Sequence, residues 1–168
     1  MHLQPISEAD KSWKAIKAQW KKEAETAGED FSTYALGTFA ALDPVALEDT
    51  KKSGLYGLYD GDSVPAFCQV HRLLMKRYQT PVLRARLVTV SPNFDFGIVD
   101  ANEYAKVLVA LFSGVVWLSR DALAADHVHF QMRSPSDSQF FAALQVKSPL
   151  SPFSQFGVKG SWAMGSLK

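Results

Sequence analysis

The sequence predicts an α+β fold, a mixed, mostly antiparallel sheet of about six to seven strands with helices on both faces. Three observations predict it. The apolar period switches along the chain from helical spacing to strict alternation and back. The elements fall in the order β-α-α-β-β-β-α-β-α-β-β. A long apolar helix also stands between two strand-like runs, and such a crossover makes those two strands parallel.

The 168 residues, 47% hydrophobic and 21% charged, suit one domain spanning 1–168. Eighteen Lys and Arg against seventeen Asp and Glu leave a formal charge of +1. Neither nucleic acid nor a membrane surface is therefore an expected partner. Cys68 is the single cysteine, which excludes an internal disulfide and a Cys-rich zinc site, and no metal is expected. The opening residues lack a basic stretch followed by an apolar one. The longest apolar run, Val107 to Leu118, falls short of the about 20 residues a bilayer span needs, so the expected setting is cytoplasmic.

Leu3 to Ile6 reads as a short first strand, closed by a turn at Ser7–Asp10. Residues 11–26 follow as an amphipathic helix with Trp13, Ile16, Trp20 and Ala24 on one face. Lys11, Lys14, Lys17, Lys21 and Lys22 cover the remainder, a solvated face or a surface for an acidic partner. Residues 31–42 are helical, and a second helix start is expected at Asp43, with Pro44 in the first position. Glu48 and Asp49 would lie in its early turns, Lys51 and Lys52 near its end, and Gly54 would stop it.

Strands are then expected at Ser53–Tyr59, Val64–Met75 and Pro81–Val90, a meander whose first turn, Asp60-Gly61, predicts type I′. Asp100 with Glu103 opens a helix whose stripe is Tyr104, Val107, Leu108, Leu111, Val115 and Leu118. Val109, Val116 and Trp117 widen that stripe and predict burial on most sides. From Asp126 to Arg133, Val128, Phe130 and Met132 alternate with His127, His129, Gln131 and Arg133. Ser134–Leu144 reads as a short helix with Phe140, Phe141 and Leu144 inward. Phe153, Phe156, Val158, Trp162 and Met164, broken at Lys159-Gly160, read as a closing hairpin.

Four stretches in this order resemble the GNAT superfamily of acyl-CoA-dependent N-acyltransferases. They are Leu3–Asp10, Leu87–Phe94 (similar to its Leu-x-Val-x-Pro-x-aromatic strand end), Ser134–Phe141 (similar to Asn-x-x-Ala-x-x-Leu-Tyr) and Gly157–Trp162. The resemblance implies a GNAT-like sheet whose fourth and fifth strands splay apart to admit the pantetheine arm of acetyl-CoA or another acyl-CoA. It places Thr89 and Val90 against that arm and on the thioester carbonyl, where fixed N–H dipoles would stabilise developing charge. It assigns Phe96, Gly97, Ile98 and Val99 to the diphosphate loop, with Ser134 and Phe141 completing the cofactor site. The loop departs from the family's Arg/Gln-x-x-Gly-x-Gly/Ala by keeping only Gly97. Asp95, Asp100 and Glu103 gather there with Lys106 as the nearest cation in sequence, and like charge opposes a diphosphate. Phe141 stands where the family carries a thiolate-protonating tyrosine. These departures keep a rival reading open, a non-catalytic GNAT-fold binding protein that has lost the acyl-CoA site.

His127 and His129, on one strand face, are the candidate general bases, against an ordinary hydrogen-bonded strand face. Arg84 and Arg86, with Val88 on the same expected face and His71, Arg72, Lys76 and Arg77 on the preceding arm, form a candidate basic patch for an acid group on a small-molecule or peptide amine acceptor. The alternative is a plain charged hairpin. Cys68 reads as a buried small apolar residue. Trp13, Trp20, Trp117 and Trp162 read as core, or, where exposed, as an acyl pocket or the interface of a homodimer.

Overall fold

The computed structural model describes residues 1–47, 53–147 and 152–168. β1 (His2–Ile6), β2 (Ser53–Asp60), β3 (Ser63–Leu73), β4 (Val82–Val90), β5 (His127–Gln131), β6 (Phe153–Lys159) and β7 (Trp162–Leu167) form one sheet in the order β1-β2-β3-β4-β5-β7-β6. Among the described residues only β4 and β5 run parallel, because the long helix between them returns the chain to the same end of the sheet. The other pairs are antiparallel. The helices are α1 (Ser12–Thr26), α2 (Phe31–Leu47), α3 (Pro92–Asp95), α4 (Ala101–Arg120) and α5 (Pro135–Lys147).

Strand alternation divides the apolar residues between two cores. On one face Ile6, Leu55 and Phe67 meet Trp13, Ile16 and Trp20 of α1 and Phe39 and Leu42 of α2. The Trp20 ring stacks on Phe67 at 4.7 Å and its Nε1 donates to the Val64 carbonyl at 2.8 Å, so the indole buries with its polar atom satisfied. On the other face Leu83, Ala85, Val128 and Phe130 pack under Val107, Leu111 and Val115 of α4 and Phe141 of α5. Gly114 lets α4 approach β1 closely, for a Cβ there would stand 2.7 Å from Leu3 Cβ. By length and composition α4 could cross a membrane; here its stripe from Val107 to Val116 packs on the sheet.

Several local expectations are corrected. The helix does not restart at Asp43: α2 runs through Pro44 to Leu47, although proline removes one helical hydrogen bond. Burial of Phe39, Leu42 and Ala46 against α1 holds it, and Asp43 accepts from Trp13 Nε1 at 2.8 Å and pairs with Lys17. Glu48, Asp49, Lys51 and Lys52 lie outside the described residues, as does the side chain of Leu144. Gly54 belongs to β2 and stops no helix. In the first hairpin the loop residues are Gly61 and Asp62, and only Gly61 has positive φ, 59°, the sign pattern of II′. Trp117 is 70% exposed and Val109 is exposed too, so α4 buries a stripe and leaves an open flank.

β4 carries a bulge. Its register with β3 passes from Gln69↔Arg86 to Phe67↔Thr89, and Leu87 adopts φ 49°. The extra residue turns Val88 into the core under α4, off the face it was expected to share with Arg84 and Arg86.

Candidate functional site

The parallel pairing of β4 and β5 runs from Val82↔His127 to Ala85↔Phe130 and stops. β4 continues for five residues, Arg86 to Val90, and β5 for only one, Gln131. The two strands therefore diverge from Ala85 and Phe130, and the bulge at Leu87 bends β4 further. Beyond the apex the edge of β4 facing β5 has no strand partner among the described residues. The Val90 carbonyl accepts the Tyr34 hydroxyl at 3.1 Å, so Val90 turns its polar groups away from β3. Alternation then turns the backbone of Thr89 toward Phe67. The Thr89 hydroxyl is held locally, donating to the Leu87 carbonyl at 3.0 Å.

The loop after β4 has little to offer an anion. Phe96 N–H donates to the Pro92 carbonyl at 2.9 Å, Gly97 N–H to Phe94 at 3.3 Å, and Ile98 and Val99 N–H both to Asn93, at 3.0 and 3.2 Å. At the start of α4, Asp100 Oδ1 accepts from Asn102 and Glu103 N–H at 2.8 and 3.0 Å. Those bonds hold the Asp100 carboxyl below the usual range, so it stays ionised at the helix start. The four residues expected to cradle a diphosphate thus have their amides engaged by their own loop.

Arg133 was expected to continue the His127–Gln131 face; it lies beyond β5 and reaches across the gap. Its Nη2 meets Asp95 Oδ1 at 2.7 Å, with the two side chains only 22% and 29% exposed. The Tyr34 hydroxyl stands 3.1 Å from Asp95 Oδ2. Burial and the Asp95 charge both push the Tyr34 phenol upward. On the far side Asp137, buried, accepts from Tyr104 Oη at 3.0 Å and from the N–H groups of Arg133 and Ser134 at 2.9 and 3.1 Å. Ser134 Oγ in turn accepts from Asp137 N–H at 3.1 Å, closing a capping box on α5. Asp95, by charge alone an obstacle to a diphosphate, is neutralised by Arg133, a nearer cation than Lys106. Among the described residues no other ion pair links the loop after β4 to β5.

The expected cofactor residues therefore separate. Val90 borders the gap; Phe96 to Val99 form a self-bonded loop; Ser134 is a helix cap. Phe141 is fully buried between Phe112 and Phe130, with centroids at 5.2 and 5.5 Å, and does not reach the gap.

Register places His71, Arg84, His129 and Met164 in one row across the sheet face, flanked by Arg86, Gln131 and Trp162. Arg84 lies 4.4 Å over the Trp162 ring, and its Nε is buried without a hydrogen-bond partner. Burial lowers the Arg84 pKa, and neighbouring Arg86 and Arg77 add to that. His129 is buried, and the Tyr78 hydroxyl lies 2.9 Å from its Nε2. Burial, then the Arg77, Arg84 and His127 charges, push the imidazole down to about 4. It is thus neutral at pH 7 but a weak base, and its Nε2 is already engaged by Tyr78. The His127 Nδ1 lies 2.9 Å from Ser166 Oγ and its ring packs on Tyr78 at 4.2 Å, three residues short of the apex. Burial pushes the Cys68 thiol up to about 12, which leaves it inert. Sequence reasoning gave no site role to Tyr34, Tyr78, Tyr104 and Asp137, and read Trp162 as core or acyl pocket rather than as the support of a cation; the Ser134-x-x-Asp137 box alone had a sequence signal.

The fold is that of a probable acetyltransferase from Staphylococcus epidermidis, with TM-score 0.57, 12% identity and 98% of each chain covered. A second probable acetyltransferase gives TM-score 0.53 and 13% identity, covering 95% of this chain and 97% of that one. An aminoglycoside acetyltransferase from an uncultured soil metagenomic sample gives 0.52 and 14%, with the same coverage. At such identity what is shared is the fold. No family model matches the sequence, and no curated protein matches it. The chain has the α+β fold of the GNAT acetyltransferases.

Proposed function

We propose that this GNAT-fold chain is an acyltransferase that moves an acyl group from a pantetheine thioester such as acyl-CoA to an amine. One observation carries the reading: β4 and β5 part at Ala85 and Phe130, leaving the edge of Arg86–Val90 without a strand among the described residues. An extended arm can take that place with backbone hydrogen bonds, as an added strand would. The residues fit the arm, and Val90 rather than Thr89 turns its N–H to it. They fit the diphosphate poorly, because the amides from Phe96 to Val99 are engaged. Arg133 must leave Asp95 to admit the arm. A freed guanidinium at the mouth of the gap is then the cation for the donor's phosphates.

In the transfer the amine nitrogen bonds to the thioester carbon, the C–S bond breaks, and the thiol leaves as thiolate. With His129 neutral and His127 remote, the amine enters as free base and its proton passes to solvent. The acceptor sits on the Arg84 side of the sheet, one row from where β4 and β5 part. An aminoglycoside, the substrate class named for one structural neighbour, is itself cationic and would be repelled by Arg77, Arg84 and Arg86. We place the reaction in the cytoplasm, where acyl-CoA is made. The test is thiol release from acetyl-CoA with a panel of amines, expected to rise with pH along each amine's own titration. Acetyl-CoA that neither binds nor turns over sinks the reading and leaves the rival favoured by the occupied loop amides and Phe141, a binding protein of this fold.

A further inference from the structure

We infer that the uncovered half of the sheet face, anchored by Arg84, is a carboxylate site, so that the amine acceptor also carries an acid group. The inference rests on the acyl-transfer reading for what the carboxylate is attached to; the anion site itself stands without it. Arg77, Arg84 and Arg86 meet around His71, His127 and His129, and none of the three guanidinium groups pairs with a carboxylate among the described residues. The cations repel one another without a counter-charge, a cost that a bound anion reverses. The Arg84 Nε is buried with no acceptor, while its guanidinium carbon lies 4.4 Å over the Trp162 ring. A buried donor without a partner is costly, and a planar fork held on a ring offers its free edge to two oxygens at once.

The surroundings set the size and kind of ligand. Tyr78, placed by its contact with His129, and Met164, which takes Arg77 Nη2 at 3.5 Å, make apolar walls beside the cations. A cleft of about 320 Å³ lined by Arg77, Tyr78, Gln155, Phe156 and Met164 continues from them. Charge at the floor and aromatic or thioether surface at the sides suit a small carboxylate with an apolar body. The site lies one row from the apex where β4 and β5 part, which keeps the acid group and the amine of one small molecule in the same pocket.

The experiment is a titration of the full chain with N-acetylglycine, its uncharged amide and inorganic phosphate, followed by the NMR signal of Arg84 Nε–H. Saturable movement with N-acetylglycine and none with the amide is expected. Arg84→Gln should weaken binding by at least about tenfold. Arg77→Gln, at an exposed rim position, should weaken it less, and keeps the test alive if the first variant is unfolded. Equal response to acid and amide, or none to either, overturns the site. Tighter binding of phosphate than of N-acetylglycine overturns its assignment to a carboxylate. Anion binding without acyl transfer sinks the transferase reading alone; transfer to neutral amines without anion binding sinks this inference alone.

Discussion

One face of the sheet is two surfaces. Over β1 to β3, α1 and α2 bury Trp13, Trp20, Phe39 and Phe67 in a dry cluster where each indole N–H has an acceptor. Over β5, β7 and the Arg84–Arg86 stretch of β4 no helix packs among the described residues, and the same face carries Arg84, Arg86, His127, His129 and Trp162. Both halves use aromatic rings and strand alternation. In the first half the rings fill volume; in the second Trp162 supports a cation whose Nε is unsatisfied. The presence of a covering helix, more than residue type, separates core from candidate site.

Substitutions can break that contrast. Trp20→Ala should cost about 3–5 kcal/mol in urea unfolding, as a large cavity in a close-packed core. Trp162→Ala should cost far less stability, yet abolish the saturable response of Arg84 to N-acetylglycine. Equal stability losses would show that both tryptophans are core. Asp95→Asn should lower stability by about 1–3 kcal/mol, since it leaves the largely covered Arg133 without its charge partner. It should also tighten acyl-CoA, because Arg133 is freed and a like charge is removed, whereas Val90→Pro, which removes the gap-facing N–H, should loosen it.

His129 gives a pH test. Its folded pKa of about 4 lies below the 6.5 of the free side chain, so the unfolded chain binds the proton more readily. Stability is therefore complete above about pH 6.5 and falls as pH drops toward 4, by about 3 kcal/mol. A His129→Gln variant should lack that part of the acid loss; an unchanged slope contradicts the burial of a neutral imidazole. Phe141→Tyr supplies the hydroxyl its motif lacks, but inside the core, so it should cost about 1–3 kcal/mol and raise no rate. Gly114→Ala, which forces Leu3 to shift, should cost about 1 kcal/mol.

The layout of the sheet was legible because period and order depend on local residues. The buried stripe of α1, the Asp100 cap and the parallel β4–β5 crossover all follow from spacing alone. What was not legible depends on contacts across the chain. Nothing local tells that Arg133 abandons the strand pattern for Asp95, 38 positions earlier. The bulge at Leu87 is a one-residue slip that reverses the face of Val88, and alternation in sequence cannot show it. The expected break at Asp43 obeyed sound capping rules and lost to packing against α1. The basic patch was visible as residues, while its anchor, Arg84 on Trp162, joins strands far apart in sequence.

The most direct test of the account is amide hydrogen exchange across Arg86–Val90 with acetyl-CoA and, separately, with acetylated pantetheine. Added-strand binding in the gap predicts that both ligands slow exchange at Val90, and that neither slows it at Phe96 to Val99 beyond the free protein. Protection of the loop amides by acetyl-CoA alone, with Val90 unchanged, would contradict a donor held by the splayed edge of β4.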